Sequence, residues 1–305
     1  MPDARALARP TVFPLLLGAA LLAGDALMAR GVAPPAILLP TFLAAALLVA
    51  LCERWLPHEA AWNRSRGDLA ADSTYLPLTW LLHGAIQPAL LALSVATGGW
   101  LAAAAGLGLW PSHWHPLLQL PLAAVVSEFF DYWAHRAMHR IPWLWRLHAT
   151  HHSAERLYWL NATRAHPLEM LFRGAIGMLP LALLGAGEPV LALAAIVNMV
   201  AGLFQHANVD ARLGPLYWIF SIGELHRWHH SRRPEEADTN YGNNYIFWDT
   251  VFGTRHLPEA VPAPRALGIE DLAAFPRGFL GQLASPFRWE RIRRESAQRG
   301  ERALA

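Results

Sequence analysis

Residues 128 to 152 read EFFDYWAHRAMHRIPWLWRLHATHH, and five of them, His135, His139, His148, His151 and His152, are histidine. The HxxHH spacing of the last three returns once downstream as HRWHH, at His226, His229 and His230. Fifteen histidines in 305 residues is only mildly rich, so eight of them falling into three tight groups is not scatter. On a helix, residues three and four apart share a face with Cβ atoms about 5–6 Å apart, so each group can bring two or three imidazoles to one point. Neutral imidazole suits Fe, Zn, Cu and Ni. Eight such donors exceed the roughly four of a closed zinc site, and the pattern implies a two-metal centre.

The surroundings of this stretch are apolar. Hydrophobic residues make up 54% of the chain, charged residues 16%, and mean hydropathy is +0.22. That is too apolar for an ordinary soluble domain, and an integral membrane protein is expected. The single cysteine, Cys52, excludes an intramolecular disulfide, a CxxC pair and a thiolate zinc cluster. A membrane span needs about 20 mostly apolar residues. Six segments qualify as readings: Thr11 to Ala29, Pro35 to Cys52, Tyr75 to Leu93, Pro116 to Trp133, Leu168 to Leu184 and Pro189 to Phe204. The first has the basic start of a signal peptide but no small-x-small cleavage site, and a second span follows at once. Glu53 to Asp72 reads as a loop or surface helix, and the uncharged Gly98 to His115 as a connection at the far membrane surface.

Arginines orient the bundle. Arg5 and Arg9 precede the first span, Arg54, Arg64 and Arg66 follow the second, and Arg136, Arg140, Arg146, Arg156 and Arg164 follow the fourth. The positive-inside rule puts all of them in the cytoplasm. An even number of spans between the second and third histidine groups then brings every group to that one face. The fold expected is therefore all-α: a polytopic transmembrane helical bundle with a cytoplasmic helical cap carrying a histidine-rich dimetal site. Three regions follow: 1–72, an N-terminal hairpin and linker; 73–257, the catalytic membrane domain; and 258–305, a proline-rich then charged tail ending in a surface helix.

HRAMH, HATHH and HRWHH resemble the three histidine boxes of the fatty acid hydroxylase and sterol desaturase superfamily, membrane-embedded di-iron oxygenases. The resemblance continues through RAHPLE at Arg164 to Glu169, FQHAN at Phe204 to Asn208, and NYGNNYIFWDTVFGT at Asn240 to Thr254. It implies two iron ions, O2 as co-substrate, a lipid substrate (fatty acyl, sterol or related) entering from the bilayer, and a separate electron-donor protein. Hydroxylation of a C–H bond is the reaction expected. Desaturation or ether-lipid oxygenation is the alternative within the family, and a non-enzymatic metal-binding membrane protein the alternative outside it. A transporter should carry ionisable ligands at the midplane of its spans, whereas these boxes sit at span ends.

The resemblance adds His206 as a ninth ligand beside the eight box histidines. Four residues are candidates to brace the ligands. Asp131 lies on the helical stripe of His135 and His139, since metal-bound histidines usually donate their other N–H to a carboxylate or carbonyl. His166 belongs to RAHPLE, although a residue before proline can simply shape a loop. Trp228, inside HRWHH, is expected to pack beside the metals, and Asn240 opens the last motif. His58, His83, His113, His115 and His256 lack clustered spacing and read as interfacial or core residues. There is no GxSxG, Walker A or GxGxxG motif, and HRAMH lacks the glutamate of HExxH. A net charge of +2 needs no nucleic acid to explain it.

Overall fold

Prolines at Pro34, Pro116, Pro142 and Pro167 each open a helix, where a missing N–H is an unpaired donor anyway. The computed structural model describes residues 3–105, 109–259 and 261–304, and among these it holds helices, turns and isolated bridges but no strand. In chain order the helices are α1 (Ala4–Ala29), α2 (Pro34–Trp55), α3 (Leu69–Ala105), α4 (Pro116–Arg140), α5 (Pro142–His152), α6 (Pro167–Leu184), α7 (Glu188–His206), α8 (Glu224–His229), α9 (Pro234–Ala237), α10 (Phe247–Phe252), α11 (Phe279–Ala284) and α12 (Trp289–Leu304).

Among the described residues, α1, α2, α6 and α7 are long and apolar enough to cross a membrane by length and composition. The protein is a polytopic helical membrane protein. The segments expected as the third and fourth spans lie inside longer helices, α3 and α4, which are not among the four that qualify. α3 runs on past Leu93, so Gly98 to Ala105 is helix rather than surface connection, and residues 106–108 lie outside the described part. α4 likewise continues past Trp133 through His135 and His139.

Polar contacts show how the ends are gathered. Near the start of α1, Arg9 pairs with Asp210 at 2.8 Å, just beyond the end of α7. Glu53, at the end of α2, accepts from the backbone N–H of Trp159 at 2.7 Å and of Asn208 at 2.9 Å. Asp72, at the start of α3, takes both forks of Arg164 at 2.5 and 2.9 Å, just before α6. At the opposite end His115 lies 3.7 Å from Asp25. There Gly98 of α3 meets Gly185 after α6 so closely that a Cβ on Gly98 would stand 2.8 Å from the Gly185 Cα. All three histidine groups therefore lie at one end.

α7 is the central post. Its Leu193, Ile196, Val200 and Phe204 are buried with Phe13 of α1 and Ile37, Phe42 and Val49 of α2. Phe13 meets Phe204 edge-on at 5.2 Å. The outer faces of α1 and α2 expose leucine instead, with Leu15 at 68% and Leu47 at 62%. So large an apolar surface suits lipid. The 258–305 stretch, expected as a tail, folds back: Trp289 and Ile292 of α12 are buried with Ala149 of α5 and Leu272. It thereby clamps the helix that carries the second box.

Candidate metal centre

The nine histidines form two sets, within each of which the ligand atoms all lie within 4.8 Å of one another: His135, His139, His148, His152 and His229 in one, His151, His206, His226 and His230 in the other. The split follows from helix geometry. At 100° per residue, positions i and i+4 are about 40° apart while i+3 falls about 60° to the other side. So α5 sends His148 and His152 to the first set and His151 to the second. α8 does the reverse, with His226 and the following His230 in the second set and His229 in the first. The expectation that each box feeds one centre is corrected here, because every HxxHH straddles both. The sets adjoin, with the His152 and His230 rings stacked at 4.5 Å.

Five Nδ1 atoms outside the span helix α7 have acceptors. His135 donates to the Tyr241 carbonyl at 2.6 Å, His139 to Asp238 Oδ1 at 3.0 Å and His148 to Glu169 Oε1 at 2.7 Å. His151 donates to the Arg164 carbonyl at 3.1 Å and His229 to the Thr239 carbonyl at 2.7 Å. At the end of α7, His206 Nδ1 donates to Asn161 Oδ1 at 3.0 Å. Each bond leaves the Nε2 lone pair pointing inward. Burial holds His148, His152, His226, His229 and His230 well below the ordinary imidazole range, and His151 down to about 3. The rings are thus neutral, as ligands must be.

This donor set fits metal. Nε2 of His135 and His148 face each other at 3.0 Å although both rings donate from Nδ1. Two lone pairs so placed repel unless a cation lies between them. His139 Nε2 and His229 Nε2 are buried with no partner. Metal–imidazole bonds of about 2.0–2.1 Å set right-angled neighbours roughly 3 Å apart, close to the 3.0 and 3.1 Å seen for His206–His226 and His151–His230. Five donors in one set also exceed tetrahedral zinc.

The braces differ from those expected. Asp131 touches none of the rings; it takes Arg173 Nε and a terminal nitrogen at 3.1 and 2.6 Å, because a guanidinium on a span helix needs a carboxylate. Carboxylates on the histidines come instead from Glu169 and Asp238. His166 stands apart, capping α6 by accepting from Leu168 N–H. The ring contact of Trp228 is with His256, edge-on at 4.9 Å, outside both histidine sets. Asn240, at φ 52°, ties Leu225 to His256 through its side-chain amide. Sequence reading missed Asn161; its side chain is buried and accepts from His206 Nδ1. Glu169 did leave a signal, since a carboxylate at the head of an apolar helix is costly without a partner.

The last motif acts as a buttress. Asp249 accepts from the N–H groups of Tyr241 and Gly242, both at 2.7 Å, which aims the Tyr241 carbonyl at His135. Gly242 is required: a Cβ there would sit 2.0 Å from the Tyr245 carbonyl oxygen. Glu128 of α4 receives the N–H groups of Asn243 and Asn244 at 3.0 and 2.8 Å, seating the loop between the helices.

Comparison with known proteins gives the same direction. The family model for fatty acid hydroxylase matches residues 120–254. The chain is 40% identical over 251 residues to the ornithine lipid hydroxylase OlsE of Rhizobium tropici, covering 81% of this chain and 74% of that one. It is 35% identical over 127 residues to the alkylglycerol monooxygenase of Homo sapiens, covering 42% of this chain and 28% of that one. A very-long-chain aldehyde decarbonylase of Oryza sativa is 29% identical over 146 residues, covering 47% and 54%. No solved structure matches.

Proposed function

This chain belongs to the fatty acid hydroxylase family and is an oxidoreductase of it, and on that premise we propose that it uses two iron ions and O2 to hydroxylate a C–H bond of a membrane lipid. The lipid we propose is of the acylated amino-acid class, as the name of the Rhizobium relative suggests. The observation that carries the reading is the pair of adjoining histidine sets with inward-facing Nε2 atoms.

Iron held by the five-histidine and four-histidine sets would supply the reduction of O2 and the attack on an unactivated C–H bond, which no side chain can do. The chain's own residues prepare for it. Glu169, Asp238, Asn161 and the carbonyls of Tyr241, Arg164 and Thr239 hold six rings in one tautomer. Tyr241 and Trp145 pack against the His139 ring, and α12 packs behind α5, which keeps water away from the rings. The arginines around this end support its placement at the cytoplasmic face. Electrons would come from a separate donor protein.

The test is metal content per chain on anaerobically purified, detergent-solubilised protein, followed by O2-dependent conversion of ornithine lipid with a reductant. About two irons and a hydroxylated product are expected. Folded protein without metal would refute the reading.

A further inference from the structure

One turn deeper than the histidines, three helices carry polar groups of different chemistry. α4 presents Asp131 below His135, α6 presents Arg173 below Glu169, and α7 presents Asn198 and Gly202 below His206, each one turn apart. The helices are tied together: Arg173 holds Asp131 and also donates to Asn243 Oδ1 at 3.2 Å. Asn243 and Asn244 in turn donate their amides to Asn198 Oδ1 at 2.9 and 3.2 Å.

Stapling the loop uses only the acceptor of Asn198. Its side chain is exposed in the middle of an apolar span, and its Nδ2 donates to nothing among the described residues. In hydrocarbon an unpaired amide donor is costly, and polar groups within spans are kept for function. Asn244 Oδ1, buried beside it, also lacks a partner. Between Asn198 and His206, a Cβ on Gly202 would meet nothing within 4 Å. The face of α7 between Asn198 and His206 is therefore uncovered at Gly202. Farther on, the apolar cluster of Trp110, Ala123, Leu181 and Leu191 packs the opposite end of the same helices.

We propose that Asn198 Nδ2 donates a hydrogen bond to an ester or amide carbonyl of the bound lipid, and that Gly202 leaves the passage by which the rest of the substrate reaches the histidines. The inference rests on the lipid-hydroxylase reading and adds what holds the substrate. Eight helical residues separate Asn198 from His206, about 12 Å along the axis. The reacting carbon therefore lies several bonds from the anchored carbonyl, and Asn198 selects it.

The experiment is native mass spectrometry of purified full-length protein with 1-palmitoylglycerol and with 1-O-hexadecylglycerol, which differ only in the carbonyl. Wild type should retain the ester lipid about fivefold better than the ether, the value of one hydrogen bond. Asn198→Leu should erase that preference, and with substrate lipid raise KM more than it lowers kcat. Gly202→Leu, whose side chain enters open space, should weaken both lipids alike. Iron content should stay as in wild type in both variants. No ester preference in wild type, or an unchanged preference in Asn198→Leu, overturns the anchor. The proposed reaction is judged separately, on iron content and O2-dependent turnover of the same preparations.

Discussion

The Nδ1–H of His148 donates to Oε1 of Glu169 at 2.7 Å, with both side chains buried. A carboxylate in that position fixes which nitrogen faces the other histidines and makes that nitrogen more basic. Glu169→Gln keeps an acceptor but removes the charge. Metal affinity should fall about 10- to 100-fold while the protein stays folded. Iron titration of the metal-free variant measures this directly, and unchanged affinity would show that His148 needs no such partner.

The crossed ligand sets make an occupancy prediction. His151→Ala strips the four-histidine set and His229→Ala the five-histidine set. Each variant should hold about one metal per chain instead of about two and lose turnover. His83→Ala, a member of neither set, should match wild type in both readouts. Loss of all metal from His151→Ala would argue against two separable positions.

Arg164 joins the site to the fold. Its guanidinium clasps buried Asp72 on α3 while its carbonyl receives His151 Nδ1. Arg164→Leu leaves an uncompensated buried carboxylate, a loss of about 3–5 kcal/mol. Thermal unfolding in detergent should show a marked drop in Tm, and the double variant Arg164→Leu with Asp72→Leu should recover part of it.

Gly242→Ala tests the buttress. The new methyl cannot coexist with the Tyr245 carbonyl oxygen at 2.0 Å, so the loop must shift and carry the Tyr241 carbonyl off His135. Turnover should collapse while membrane insertion and helix content, read by circular dichroism, remain.

Acid should weaken the metal-free protein. Burial lowers His151 from 6.5 in the unfolded chain to about 3 in the folded one. The unfolded state therefore binds the proton first. The stability from burying this ring unprotonated is complete above about pH 6.5 and falls as pH drops toward 3. The Tm of metal-free protein should decline over that window, and bound iron should offset the decline. A flat profile would mean the rings are wetter than their burial indicates.

Much of the fold could be read from composition and periodicity, because a helix in lipid must satisfy its own backbone and so announces itself as a long apolar run. α1, α2, α6 and α7 do so. α3 and α4 were harder to bound: their ends are set by packing, with Gly98 pressed on Gly185 and α4 extended to carry its histidines into the site. The ligands were legible because HxxHH is a local pattern. Their braces were not, because Asp238, Asn161 and the Tyr241 carbonyl reach their rings across many residues of sequence, and nothing local marks them.

By itself, the sequence determined the class of molecule, an apolar helical bundle, the nine histidines and the parity of helices that brings them to one end. These follow from hydropathy and the helical repeat, which act within a few residues. Tertiary structure decided the division into sets of five and four, the use of Asp131 by Arg173 rather than by a histidine, and the open face of α7 beside Asn198. Such choices depend on how one helix is rotated against the next, and only long-range packing sets that angle.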